Sequence, residues 1–125
     1  MKQTESTEMY LENILVLSEK LGSVRSIDIA RYSGYSKPSV SRAVGNLREG
    51  GFILVDPFGM ITLTDAGYAV ASKILERHRV LTVMLKEFGV SDDVAAEDAC
   101  RIEHVISDET FERVKEHFAN KKTRG

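Results

Sequence analysis

Residues 26–51 read as two short helices held apart by Ser33-Gly34-Tyr35-Ser36, and this spacing restricts the fold more than any other feature. Ile27, Ile29 and Ala30 form the apolar side of a helix over Ser26 to Tyr32. Gly34 suits the turn, Ser36 is a good N-cap, and Pro38 falls in a first helical turn where its missing N–H costs nothing. The helix that follows turns Val40, Ala43, Val44 and Leu47 inward and stops at Gly50-Gly51. Upstream, Tyr10, Leu11, Ile14, Leu15, Leu17 and Leu21 recur at a helical period, which predicts a first helix from about Thr7 to Leu21, ended by Gly22. Downstream, Phe52–Val55 and Met60–Leu63 are β-rich runs around Asp56-Pro57-Phe58-Gly59, the pattern of a hairpin. Helix–turn–helix then hairpin is the order of a winged helix–turn–helix.

Three further helices are expected: Thr64-Asp65 to about Phe88, Ser91 to about Ile106, and Ser107 to about Ala119. The basic tail, Asn120 to Gly125, is expected to fray. The fold class is therefore mainly α: a winged helix–turn–helix with a small β-hairpin wing over residues 1–70, then a helical domain over 71–125.

The second helix of such a pair enters the major groove of DNA with its N-terminal turns facing the base edges. Here those turns carry Ser36, Lys37, Ser39, Ser41, Arg42 and Asn46, short polar and basic side chains that let the backbone approach. The net charge of −2 hides a division. From Lys20 to Arg48 six basic residues, Arg25 among them, face one acid, Asp28, so this segment is +5 and the rest of the chain −7. A basic stripe in an acidic protein suits a phosphate-contacting surface, although a solvated helix face reads the same way. The wing tip lacks basic residues, and little phosphate contact is expected from it.

Cys100, Glu103 and His104 stand at i, i+3 and i+4, so one helix face would present a thiol, a carboxylate and an imidazole, with Ile102 turned to the core. Those donors suit a transition-metal ion. Met9 and Glu12 repeat the i, i+3 spacing on the first helix, where Met9 could equally be a packing residue. His78 lies between Arg77 and Arg79 and is by itself as compatible with a surface histidine as with a ligand. As the single cysteine, Cys100 excludes an internal disulfide; it is either an inert core residue or a nucleophile or ligand.

Five segments together resemble the diphtheria toxin repressor / manganese transport regulator family of metal-dependent repressors. They are Thr7-Glu8-Met9-Tyr10-Leu11, Ser36-Lys37-Pro38-Ser39-Val40-Ser41, Leu63-Thr64-Asp65-Ala66-Gly67, Arg77-His78-Arg79 and Cys100-Arg101-Ile102-Glu103-His104. The resemblance implies a homodimer joined through C-terminal helices, which makes residues 71–125 a metal-binding and dimerisation domain. It implies binding to palindromic operator DNA when loaded with Fe(II) or Mn(II), and control of metal homeostasis. Met9, Cys100, Glu103 and His104 match the iron-type ligands, His78 a ligand of both branches, and Glu12 a carboxylate of the manganese type. Two departures stand out: Thr82 and Ala96 replace a carboxylate and a histidine of the iron branch's second site, and in 125 residues that branch's SH3-like domain is not expected. The sensor reads as a hybrid. Thioether and thiolate favour Fe(II); Glu12 keeps Mn(II) as the alternative.

The expected mechanism is a clamp: an ion offsets repulsion between Glu12 and Glu103 and holds the first helix beside the helix–turn–helix. A metal-independent winged-helix factor sensing another ligand is the competing reading, and a co-regulator binding protein through the winged helix is a second. No nucleophile–base pair, Gly-rich phosphate loop or His-Glu-x-x-His zinc helix is present, so no enzyme is expected. With 42 % hydrophobic and 29 % charged residues, no long apolar run and a polar, acidic start, a cytoplasmic protein without a membrane partner is expected.

Overall fold

The computed structural model describes residues 4–124, with side chains through Phe118. The chain divides between Ser72 and Lys73 into two compact units. Its elements are α1 (Glu5–Leu21), α2 (Ser26–Ser33), α3 (Lys37–Glu49), β1 (Ile53–Val55), β2 (Ile61–Leu63), α4 (Asp65–Glu87), α5 (Asp92–Ile102) and α6 (Asp108–Arg124). This mainly helical order with one small hairpin matches the expected fold class.

In the first unit α1 packs on α2, α3 and β2. It starts two residues earlier than its periodicity suggests, because Thr4 accepts the Thr7 N–H at 3.1 Å and caps it. Gly22, at φ 79°, returns its N–H to Ser18 O and ends it. The turn before α3 is as expected: Gly34 is left-handed at φ 79° and Ser36 Oγ accepts the Ser39 N–H at 3.3 Å. Leu11, Ile14, Val24, Ile29, Val40 and Ile53 are fully enclosed in this unit.

The strands are a residue shorter than the β-rich runs and pair antiparallel, Ile53 to Leu63 and Val55 to Ile61. Ile53 and Ile61 face inward while Leu54 and Thr62 face solvent, the alternation of a two-faced ribbon. Asp56 holds the turn by accepting the N–H groups of Phe58 and Met60 at 2.8 and 2.9 Å. One feature is not visible as a pattern: Val24 forms an isolated bridge to Ile61, whose N–H donates to Val24 O at 2.7 Å. The α1–α2 loop is thereby tied to the wing.

In the second unit Phe111 is buried on α6, Ala95 and Ala99 on α5, and Ile74 and Leu81 on α4. Two expectations fail here. Helix α5 ends at Ile102, not near Ile106, and residues 103–107 form a turn instead. Helix α6 continues through Arg124, past the tail expected to fray, and Gly125 lies outside the described residues.

Candidate metal centre and nucleic-acid interface

The early end of α5 changes how its three donors meet. Cys100 is in the last turn, Glu103 is the C-cap with φ −56° and ψ −27°, and His104 lies beyond it. Near-helical backbone at Glu103 keeps the i, i+3, i+4 proximity without continued helix. One ligand atom from each of Cys100, Glu103 and His104 falls within 4.8 Å of the others. Ile102, expected to turn to the core, is only half-buried; the fully buried side chain is Glu103.

A buried carboxylate must find partners or remain costly. Glu103 Oε1 meets His78 Nδ1 at 2.8 Å, which joins α4 to the turn. Glu103 Oε2 has no hydrogen-bond partner among the described residues and lies 3.9 Å from His104 Nε2. Thiol, carboxylate and imidazole around a buried oxygen with unused lone pairs form a donor set that fits a divalent transition-metal ion.

The backbone of this turn is held by Arg77, a residue to which the sequence pattern gave no role. Its Nη1 donates to Glu103 O at 3.1 Å and to Ile106 O at 2.8 Å. Its Nη2 is paired with Asp108, and its guanidinium lies over the Phe111 ring, 5.4 Å from the centroid. A hydrogen bond and charge from Lys73, and then Arg77, hold the Asp108 carboxyl below the usual carboxylate range. A signal existed: Ile74, Arg77 and Leu81 share one face of α4, where a cation amid apolar residues implies buried partners.

The remaining proposed donors belong to the first unit. Glu12 is buried on α1, and Met9, one turn earlier, is half-buried. Met9 Sδ accepts a hydrogen bond from Tyr35 Oη at 2.6 Å, in a cleft also lined by Glu5, Ser6, Tyr10 and Ser39. Tyr35, missed in the sequence, thus touches a candidate donor from the residue before the α3 cap.

On α3, Lys37, Ser39, Ser41, Arg42 and Asn46 are exposed while Val40, Val44 and Leu47 are buried. The polar residues therefore occupy the face away from the core. Ser36 is also exposed, but its hydroxyl donates to Ser39 Oγ at 2.8 Å while it caps the helix. Arg25 precedes α2, with its backbone N–H bound to Asp28 Oδ2 at 2.9 Å and its side chain in solvent.

Residues 2–59 match the family model described as the iron dependent repressor N-terminal DNA binding domain. Residues 64–124 match the iron dependent repressor metal binding and dimerisation domain. The chain belongs to the iron-dependent repressor family. This repressor-family chain is 34 % identical over 114 residues to an uncharacterised HTH-type transcriptional regulator of Methanocaldococcus jannaschii, covering 90 % of this chain and 91 % of that one. It is 34 % identical over 108 residues to the transcriptional regulator MntR of Salmonella typhimurium, covering 86 % of this chain and 69 % of the relative. Its fold is similar to the solved structure of the manganese regulator SloR, with a TM-score of 0.79 and 30 % identity over 94 % of this chain. It spans about half, 54 %, of the SloR chain. Membership favours the metal-dependent regulator over the metal-independent winged-helix factor and places the chain in a family of transcriptional regulators. Among the described residues no helix is long and apolar enough to cross a membrane.

Proposed function

We propose that this protein is a homodimeric transcriptional repressor that binds palindromic operator DNA when its sensor holds Fe(II) or Mn(II), and so controls metal homeostasis from the cytoplasm. The observation that carries this reading is the buried Glu103 carboxylate, gathered with Cys100 and His104 within 4.8 Å and bound to His78 at 2.8 Å. Cys100, Glu103, His104 and His78 are the donors from the helical domain, residues 71–125. Met9 and Glu12 join them from residues 1–70 on the strength of the sequence resemblance. The ion supplies positive charge that stabilises the deprotonated thiol and the buried carboxylate. Cys100 and Met9 favour Fe(II) as the physiological ion; Glu12 is the residue that keeps Mn(II) in competition.

The DNA-reading set is Ser36, Lys37, Ser39, Ser41, Arg42 and Asn46 on α3, with Arg25 at the start of α2. Lys37, Arg42 and Arg25 supply phosphate or guanine contacts, and the small serines allow close approach. The ion favours the DNA-competent state only through its greater affinity for that state.

The test is operator binding titrated anaerobically with Fe(II) and with Mn(II) and reversed by chelator, in the wild-type protein, Glu103→Ala and His104→Ala. Metal should strengthen wild-type binding, and both substitutions should abolish the stimulation. Equal stimulation in both variants would remove these residues from the sensor, and chelator-insensitive binding would return the chain to the metal-independent reading.

A further inference from the structure

Arg77 and His78 are neighbours on α4, and each takes hold of a different part of Glu103. His78 Nδ1 meets the carboxylate at 2.8 Å; Arg77 Nη1 donates to the carbonyl at 3.1 Å. Arg77 also binds Ile106 O at 2.8 Å and pairs with Asp108, so one guanidinium spans the turn from its first residue to the start of α6. Two of the proposed metal donors, Glu103 and His104, lie in this turn, beyond the last residue of α5. The last carbonyls of a helix also need donors from outside it, and Arg77 supplies one.

From this arrangement we infer that Arg77 is a positioning residue of the metal sensor: its three-way grip on Glu103 O, Ile106 O and Asp108 sets where the Glu103 and His104 donors stand. The inference rests on the proposed metal centre. It also contains a conflict that makes it testable. A fixed positive charge close to two donors repels an incoming cation, so removing Arg77 helps binding if its charge is what matters and harms binding if its geometry is what matters. Asp108, kept ionised by Lys73 and Arg77, offsets part of that charge. Arg77 is 6 % exposed, and its fork can reach two carbonyls and a carboxylate together. A lysine keeps the charge but brings only a point donor on a flexible stem.

The experiment uses the full chain and Co(II), whose visible spectrum reports both coordination geometry and thiolate ligation. Wild type, Arg77→Lys, Arg77→Met and Asp108→Asn are titrated, with His104→Ala as the control for the site. If Arg77 positions the donors, Arg77→Lys and Arg77→Met both lose Co(II) affinity by about 10–100-fold, the range seen when a partner of a metal ligand is removed. Their visible bands shift, showing altered donor geometry, and Asp108→Asn loses affinity by a smaller factor. Wild-type affinity and spectrum in a folded Arg77→Lys, or tighter binding in Arg77→Met, overturns the inference. Should both Arg77 variants fail to fold, Asp108→Asn decides: an unchanged spectrum and affinity there rejects the grip. Failure of the underlying reading is distinct, because wild type then gives no Co(II) band or His104→Ala keeps it, and the role of Arg77 falls with the site.

Discussion

At the scale of single residues, the second unit places charge where burial makes it expensive and then supplies partners. Glu103 and Arg77 are both buried in it. Glu103 depends on His78 for its carboxylate, and Arg77 on two backbone carbonyls and Asp108, so removing one partner leaves a buried polar group unsatisfied. The outer end of the Arg77 chain is Asp108, largely in solvent and 3.1 Å from Lys73 Nζ. Its folded pKa lies below its ordinary value of 3.8, through the hydrogen bond and charge of Lys73 first and Arg77 next. A depressed carboxylate contributes stability that is complete above its unfolded pKa and is lost as pH falls through the lower, folded value. Asp108→Asn should therefore melt at a lower temperature than wild type at neutral pH and converge with it below about pH 4. Parallel melting curves across that range would show that the pairing does not contribute to folding.

At the scale of elements, helix caps are local signals: Ser36 makes the start of α3 legible, whereas the cap of α1 at Thr4 lies outside the apolar period, which places that start two residues late. Thr4 caps α1 and Ser36 caps α3 within three residues of the N–H they accept, and a Ser N-cap typically contributes about 1 kcal/mol. Where the contact is long-range, local pattern is silent. Gly67 is the clearest case. Its own N–H donates to Thr64 Oγ1 at 3.1 Å, Thr64 N–H donates to Phe52 O at 3.0 Å, and a Cβ on Gly67 would stand 2.0 Å from that same Phe52 O. The start of α4 thus lies directly against the backbone entering β1, and only glycine permits it. Gly67→Ala should destabilise the protein by about 1–3 kcal/mol or more, the cost of overpacking, and should loosen the wing. Thermal unfolding together with hydrogen exchange at Ile53 and Ile61 checks this. Wild-type stability with unchanged exchange would mean that the two backbones separate at no cost.

At the scale of the whole molecule, charge is divided along the chain: +5 from Lys20 to Arg48 within a net charge of −2. An acidic protein with a basic reading segment should bind DNA with a strong dependence on salt. Removing one cation that neutralises a phosphate should lower the slope of log K against log salt by about 1. Lys37→Ala is expected to show that lower slope on every sequence. Arg42→Ala should do the same if it meets a phosphate, and should relax discrimination at one base pair if it meets a guanine edge. Affinity indifferent to salt in wild type would refute the α3 interface.

Much of this architecture could be read in one dimension because its causes are local: apolar period, caps, turn glycines, and a Pro in the first turn of α3. The α3 surface was legible for the same reason, since alternation along one helix decides which side chains reach solvent. The donors Cys100, Glu103 and His104 were legible as a spacing, but the end of α5 was not. Ile102 carries no helix-stopping signal, and what replaces continued helix is a guanidinium reaching from Arg77, 26 residues earlier. The same holds for the Val24–Ile61 bridge, the hydrogen bond from Tyr35 to Met9 and the approach of Gly67 to Phe52, each between segments distant in the chain. Residue order settled which elements form and which chemical groups they bring. Packing alone settled that Glu103 is buried and gripped at both its carbonyl and its carboxylate, because burial and desolvation depend on neighbours that no local pattern names.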